Sequence, residues 1–350
     1  MDIITHGLLG AVAAQATYGS RLGRRAATIG ALAGIFPDID VFSFFSTPFV
    51  AMAMHRGFTH SLWFPFLMGP ILGLIYWHWR QIRREHLSLD GCMGAAFWGI
   101  LSHGFLDVCT AYGTQLFAPF SNHRFALNAI SIVDILYTFL LGVSIILALL
   151  FTKYSKMIAR YGIILTTSYL FFGFLINETM TSEIQQKQPS IKRVWVSPTL
   201  RQLFYRRIIL SDPDQVCIGY HHFMYPEEDI KYVCRPRSRD LRIEILKKTQ
   251  EGQLFQWFAD DLTFEWIEET QEGSLALMSD VRFGFSLDPE ETLWGIFVHF
   301  DKEHKQSRPV ESYRNLGSLS TLKEAALRYF AKGYLYPYTQ KYTNMQSSIP

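Results

Sequence analysis

Charge and cysteine are both scarce in this sequence, and the net charge is small. Only 18% of the 350 residues are charged, whereas soluble globular chains average about a quarter. A formal net charge of +2, without a basic patch interleaved with aromatic residues, argues against a nucleic-acid partner. The chain also lacks the patterns G-x-x-x-x-G-K-S/T, H-E-x-x-H and G-x-S-x-G, so it carries no P-loop, zincin or α/β-hydrolase signature.

The four cysteines are divided between two halves of different composition. Cys92 and Cys109 lie in an apolar first half, and Cys217 and Cys234 lie in a more polar second half. The second pair forms one disulfide if that half is extracytoplasmic, or remains as two buried thiols; the sequence leaves both open. No lysine or arginine precedes Arg21, so the start lacks the positive region of a signal peptide, and we expect it to be retained.

Long apolar runs fill the first half of the chain. Those at 61–79, 130–151 and 161–176 approach or exceed the length of a membrane-spanning helix. The sequence therefore predicts an α-helical integral membrane domain over residues 1–178, with about six membrane segments. The remaining three segments are a run at 91–108, which carries a histidine and an aspartate, and two short, weaker segments at 3–19 and 26–37.

Short basic connections separate these segments at 20–25, 80–85 and 153–160. If each connection faces the cytoplasm, as the positive-inside rule predicts, the segments alternate consistently and residues after 178 lie outside. The same topology places the unusual polar residues at or near the outer ends of their segments. These residues are His6, Asp38, Asp40, His55, His60, His103, Asp107 and Asp134.

The second half, residues 179–350, has a different pattern. Short β-branched and aromatic runs alternate with turn signals such as SDPD and DPEE, which predicts a soluble, extracytoplasmic α+β domain that is mainly β. A closing helix is predicted to start near Thr321, where Glu324 completes a capping-box pattern.

The polar residues of the first half suit a metal site. Ionisable side chains at the centre of a membrane helix cost about 2.5–3.5 kcal/mol each on insertion scales, so they are usually paired or functional. His103 and Asp107 are four residues apart and share one helical face. Histidine and aspartate without a nearby thiolate suit zinc best, with manganese or iron as alternatives. We expect one to three divalent ions, with ligands from His6, Asp38, Asp40, His55, His60, His103 and Asp107.

Each motif alone also has an ordinary structural explanation. His103 and Asp107 can neutralise each other in the bilayer, and Asp38 and Asp40 can end a helix and cap the next. His55 and His60 can be interfacial polar residues. The convergence of all these motifs on one membrane face favours a site.

The motifs also resemble a known family. MDIITHGLLGA, LAGIFPDIDVF, HRGFTHSLWF, LSHGFLDVCTAYGTQLFAPFSNHRFAL and SIVDILYT are similar, in order and spacing, to the YdjM-like proteins of the bacterial inner membrane. That family is described as membrane-bound metal-dependent hydrolases and has been likened to zinc-dependent phospholipase C. The resemblance covers about residues 1–150, and it implies an inner-membrane location and that the eight polar residues above are the family's polar positions.

A hydrolytic mechanism follows if metal binds. A metal-bound water would attack a phosphoryl or acyl centre, and Arg56 would hold a phosphate oxygen. Asp40 and Asp134 would act as general base or orient the ligands. A site at headgroup depth in the bilayer suggests a phospholipid or lipid-linked substrate. The alternatives are a non-enzymatic metal-binding or transport protein, and a stress-related membrane scaffold whose polar cluster only stabilises helix packing.

Overall fold

The computed structural model describes residues 1–45, 47–225 and 229–314, so the closing helix predicted after Thr321 lies outside the described residues. A helical unit comes first and a sheet-rich domain follows it. The helices of the first unit are α1 (Ile3–Leu22), α2 (Arg25–Ile35), α3 (Pro48–Met54), α4 (Phe64–Ile82), α5 (Leu89–Val108), α6 (Ile135–Leu150) and α7 (Ser155–Lys187). Short 3₁₀ segments at Phe36–Phe45 and Phe58–His60 connect the helices that bound the site.

Helix α1 packs against α2 and α5 through small residues. A Cβ atom on Gly30 would lie 2.1 Å from the carbonyl oxygen of Gly10 and 2.4 Å from the Cβ of Ala14. A Cβ on Gly34 would lie 2.8 Å from the carbonyl oxygen of His6. Since no side chain fits between these backbones, the glycines let the helices approach closely, as small residues do in membrane bundles. This packing brings the end of α2 against His6.

A methyl group at Gly30 is expected to destabilise the helical unit. Overpacking a tight contact typically costs about 1–3 kcal/mol, so Gly30→Ala should lower the thermal midpoint of the purified protein and weaken any property that depends on His6. Gly142→Ala on α6 is the matched control, because its nearest neighbour is the Cδ1 of Leu8 at 4.0 Å. Equal midpoints for both variants in a fluorescence melt would contradict the close packing.

The prediction of six membrane segments needs correction. Among the described residues one helix, Thr152–Lys187, is long and apolar enough to cross a membrane, and a second span results if the bent pair Pro48–His60 and Phe64–Ile82 counts as one. Helices α2, with 11 residues, and α6, with 16, are too short for that test. Helices α1 and α5 are long enough, with 20 residues each, but their glycine, alanine and polar residues give them too low a hydropathy. Such small and polar residues suit helices that pack inside the bundle, where more than half of each helix is buried.

The basic connections and the polar residues lie at opposite ends of the bundle. Arg21, at the end of α1, pairs with Asp90 at the start of α5 at 2.5 Å. Arg25 pairs with Glu85 at the same distance, which joins the α1–α2 turn to the α4–α5 connection. His6 lies near the other end of α1, so charge and candidate ligands are separated along the length of the bundle, as the sequence predicts.

The described residues of the second unit form two antiparallel four-stranded sheets, which confirms a mainly β, α+β domain. The first sheet has the order β1 (Arg193–Pro198), β2 (Tyr205–Ser211), β3 (Gln215–His222), β4 (Tyr232–Pro236), and the second has β5 (Thr263–Thr270), β6 (Gly273–Asp280), β7 (Trp294–Phe300), β8 (Glu311–Arg314). Helices α8 (Leu241–Lys248) and α9 (Gln250–Phe258) lie between them in sequence and begin at the capping side chains of Asp240 and Thr249. The boundary predicted at residue 178 falls inside α7, which continues to Lys187.

A disulfide joins neighbouring strands of the first sheet. Cys217 on β3 lies directly opposite Cys234 on β4, and the two are bonded. Of the two possibilities that the sequence leaves open, the structure therefore contains the disulfide. Cys92 and Cys109, in the helical unit, are free.

Two contacts fasten the sheet-rich domain to the site end of the helical unit. The fully buried Arg206 of β2 donates hydrogen bonds to the carbonyl oxygens of Asn128 and Gly173. The indole N–H of Trp257 on α9 donates to the carbonyl oxygen of Asn122 at 3.2 Å. Because 122–128 belongs to the loop after α5, the sheet-rich domain lies directly over the end of α5 that carries Asp107.

Candidate metal site

Asp107, near the end of α5, is the centre of a fully buried polar cluster. Its Oδ1 lies 3.1 Å from His6 Nε2 and 2.5 Å from the amino group of Met1. Its Oδ2 lies 3.0 Å from Arg56 Nε and 3.3 Å from His60 Nε2. The groups that pair with this carboxylate are an amino group, a guanidinium and imidazoles, so its negative charge stabilises the cluster.

Hydrogen bonds on the far side of each ring fix the tautomers of His103 and His60. His103 Nδ1 donates to the carbonyl oxygen of Gly34 at 2.7 Å, because a carbonyl can only accept. Thr59 donates its hydroxyl to Asp40 at 3.0 Å and therefore accepts from His60 Nδ1 at 2.9 Å. In the neutral form of each ring, the Nε2 atom therefore carries the lone pair, as metal-ligating histidines require.

The two Nε2 atoms converge on each other and on two carboxylates. They lie 2.9 Å apart, a distance at which two lone pairs repel unless a cation or a proton lies between them. Asp38 Oδ1 is 3.5 Å from both nitrogens, and Asp107 Oδ2 is 3.3 Å from that of His60 and 3.6 Å from that of His103. Ligands about 2.0–2.1 Å from a zinc ion at tetrahedral corners lie about 3.3 Å apart. The two nitrogens form a triangle with either oxygen, and its edges of 2.9–3.6 Å are close to that spacing.

A second candidate group overlaps the first. One nitrogen each from His6 and His103 and one carboxylate oxygen from Asp38 lie within 4.8 Å of one another, and so do the donor atoms of His60, His103 and Asp107. The rings of His6 and His103 stack with centroids 3.5 Å apart. Within the part of the chain that the structure describes, His6 Nδ1 is buried without a hydrogen-bond partner. A buried ring nitrogen without a partner is free to ligate a metal ion.

Asp40 and His55 form a layer outside these groups. Asp40 Oδ1 is 2.9 Å from His55 Nδ1, and Asp40 Oδ2 accepts the backbone N–H of Arg56 at 3.0 Å. Burial raises the pKa of the Asp40 carboxyl, but its contacts with His55 and His60 outweigh burial and hold that pKa below its usual value. An ionised Asp40 can therefore fix the ring of His60 from behind, which is how second-layer carboxylates support metal ligands.

Arg56 is almost entirely buried, with 4% of its surface exposed. Its backbone has a φ of 59°, a left-handed conformation that costs energy in a residue other than glycine and that clusters at functional sites. The guanidinium pairs with Asp107, donates to the hydroxyl of Thr110 at 2.7 Å and lies 4.6 Å from the ring centroid of Tyr112. The charge of Arg56 therefore faces the cluster. Its predicted contact with a substrate phosphate stays a prediction.

Asp134 is engaged elsewhere. Its Oδ1 accepts the backbone N–H of Tyr137 at 2.8 Å, which caps α6, and its Oδ2 accepts the hydroxyl of Tyr169 at 3.0 Å. Among the described residues, neither candidate metal group contains Asp134, Asp40 or His55. The catalytic role predicted for Asp134 stays a prediction without a contact to the cluster.

Several supporting groups were not apparent from the sequence. The carbonyl of Gly34 orients His103, Thr59 relays between His60 and Asp40, and Tyr112 stacks on Arg56. Tyr112 also packs edge-on against His55 at 5.3 Å and against Phe258 of α9 at 5.3 Å between ring centroids. Through Tyr112 the sheet-rich domain contacts the layer that surrounds the cluster.

The fold and the cluster define a class: a helical protein with a buried histidine–aspartate centre at one end of its bundle, beneath a sheet-rich domain. The family model for the YdjM inner membrane protein matches residues 1–180, just over half of the chain. The chain therefore belongs to the YdjM inner membrane protein family, which confirms the resemblance seen in its motifs. Every cluster residue lies inside the match, and the strands from Arg193 onward lie outside it.

The chain is also similar to the uncharacterized protein YfhP of Bacillus subtilis (strain 168), with 34% identity over 145 residues. This match covers 38% of the chain and 42% of the relative, so the chain spans less than half of that protein's length. No solved structure matches the chain. The similarity therefore supports the family and leaves activity and substrate to be argued from the site.

Proposed function

We propose that this protein is a membrane-bound, metal-dependent hydrolase with its site at the outer membrane face. The observation that carries the proposal is the convergence of the His60 and His103 Nε2 atoms with carboxylate oxygens of Asp38 and Asp107, at N–O distances of 3.3–3.6 Å. Zinc, or manganese or iron, bound there with an open position would supply a water acidified toward neutral pH. Two overlapping donor groups are compatible with one ion or more.

The residues of the chain supply orientation, charge balance and access. Gly34 and Asp40 hold the two ligand rings with their lone pairs inward, and Arg56 balances the buried charge of Asp107. The Asp38 side chain is 21% exposed, whereas the side chains of His60, His103 and Asp107 are fully buried. Water and substrate would therefore reach the cluster from the side of Asp38. A phosphoester is the substrate class that best suits a centre of this charge.

Exposed apolar side chains surround this end of the bundle and support a lipid or lipid-linked substrate. They would lie among headgroups and upper acyl chains, where amphipathic aromatic residues concentrate. The cluster would then sit at the depth of a lipid phosphate. The side chains are Ile39, Phe42, Phe58, Trp63 and Phe120, which are 42–80% exposed.

The Cys217–Cys234 disulfide supports placing the sheet-rich domain in an oxidising compartment, outside the inner membrane. The site end of the bundle would then face outward and the basic connections inward. In intact cells a membrane-impermeant maleimide should label a cysteine introduced at Lys302 and spare one at Arg83. The reverse result would contradict this orientation.

Hydrolysis is tested with the purified full chain, stripped with a chelator and then titrated with zinc or manganese. The metal-loaded protein should cleave a chromogenic phosphodiester or a phospholipid, and Asp38→Asn should reduce the rate by about 100-fold or more, as loss of a group at the reacting centre typically does. Asp90→Asn, an exposed carboxylate on α5, should keep the wild-type rate. Bound metal without hydrolysis of any phosphoester would favour a metal-binding or transport protein.

A further inference from the structure

An apolar cleft runs along the outside of α1, between α2 and α6. It has a volume of about 510 Å³ and aliphatic walls, including Ile3, Ala31, Ile35 and Ile145. Clefts of about 300–1,000 Å³ are large enough to enclose most of a small ligand. Ile3 is 54% exposed, so the cleft is open along the surface of the bundle rather than closed within it.

One end of the cleft adjoins the candidate metal site. Gly7 and Ile35 line this end, and the position of a Cβ on Gly7 would be 3.1 Å from Ile35 Cδ1. Gly7 follows His6 directly, and Ile35 is three residues before Asp38. The cleft therefore begins beside two of the candidate ligands.

The other end of the cleft lies at the basic end of the bundle, where Arg24 contributes to the wall. From Arg24 to Ile35 the cleft follows α2 for about 16 Å at 1.5 Å per residue. An arginine at such a position can line the wall with its aliphatic stem and keep its charge in water.

We propose that this cleft binds one acyl chain of a phospholipid whose phosphate lies at the His/Asp cluster. The inference rests on the proposed function and adds the means by which the substrate is held. Aliphatic walls match a hydrocarbon chain, and one end of the cleft adjoins the site that would hold the phosphate. The cleft excludes a polar substrate tail and selects a lipid by its chain.

Photolabelling tests the proposal without depending on hydrolysis. Full-length protein in nanodiscs receives a small fraction of phosphatidylglycerol that carries a diazirine on one acyl chain. Residues of α1, α2 and α6 that line the cleft should be labelled several-fold more than Phe171, which is 60% exposed on α7. Ala31→Trp, which fills the cleft, should lower this labelling several-fold. Ile146→Trp, an exposed position of α6 outside the cleft wall, should leave it unchanged.

Metal content, measured on the same samples, separates the two proposals. Normal metal content in both tryptophan variants shows that they are folded at the site. Preferential labelling without bound metal would support the cleft as a lipid site and contradict the hydrolase. Equal labelling of the cleft and of Phe171, or unchanged labelling in Ala31→Trp, would overturn the acyl-chain proposal.

Discussion

Asp107→Asn is expected to abolish metal binding. The substitution replaces the buried carboxylate that faces His6, His60, His103 and Arg56 with a neutral amide. Changes to groups that only support a ligand already weaken metal affinity about 10–100-fold, so loss of a ligand charge should weaken it by more than about 100-fold. Zinc titration by calorimetry on chelator-treated protein measures the change directly.

The matched control for this variant is Asp90→Asn, because Asp90 is on the same helix but exposed, and its affinity for zinc should be unchanged. Loss of Asp107 also leaves a buried guanidinium without its counter-charge, which typically destabilises a protein by about 3–5 kcal/mol. We therefore test Asp38→Asn as a second variant, because Asp38 is partly exposed and its replacement leaves no buried guanidinium without a counter-charge. Wild-type zinc affinity in both Asp107→Asn and Asp38→Asn would refute the ligand assignment.

Arg206→Ala is expected to loosen the sheet-rich domain from the helical unit. Arg206 is completely buried, and burial lowers the pKa of its guanidinium to about 9. It donates to the carbonyl oxygens of Asn128 and Gly173 and to Asn177 Oδ1 at 2.8–3.3 Å. Removal takes a buried donor from these three acceptors, at roughly 1–3 kcal/mol for each acceptor that is left unsatisfied, and it leaves a cavity.

Limited trypsin digestion and a fluorescence melt of the purified protein measure this effect. Arg206→Ala should be cleaved between α7 and β1 much faster than wild type and should melt at a lower temperature. Arg239→Ala is the control, because that side chain is 80% exposed and its ion pair with Asp214 is expected to contribute less than about 1 kcal/mol. Equal protease resistance in the two variants would show that Arg206 does not fasten the domains.

Much of the cluster could be predicted because its residues are recognisable from their local sequence context. His103 and Asp107 share a helical face by their spacing, and Asp38, His55 and His60 flank segment ends in an otherwise apolar region. The sequence could not distinguish direct ligands from their supports. Asp40 and Asp134 are both aspartates near segment ends, yet one orients His60 and the other caps α6. That difference depends on contacts between residues far apart in the chain.

The helical unit was less predictable than the site. Positions 3–19 and 91–108 read as membrane segments because they are apolar, but their small residues place α1 and α5 inside the bundle. Close contacts such as Gly30 on Gly10 arise from the pairing of helices, which periodicity does not specify. In the second half, alternating runs indicated strands correctly, whereas the division into two sheets and the choice of a disulfide over two thiols depend on tertiary pairing.

The central claim is that His60 and His103 share a cation, and metal content tests it most directly. Mass spectrometry of wild-type protein purified gently and without chelator should find about one to three equivalents of zinc, manganese or iron, in line with the donor atoms available. A folded His60→Ala, His103→Ala double variant should contain none. Metal-free wild type would contradict the account. The 2.9 Å contact between the two rings would then be held by a proton, and the cluster would serve only to pack the helices.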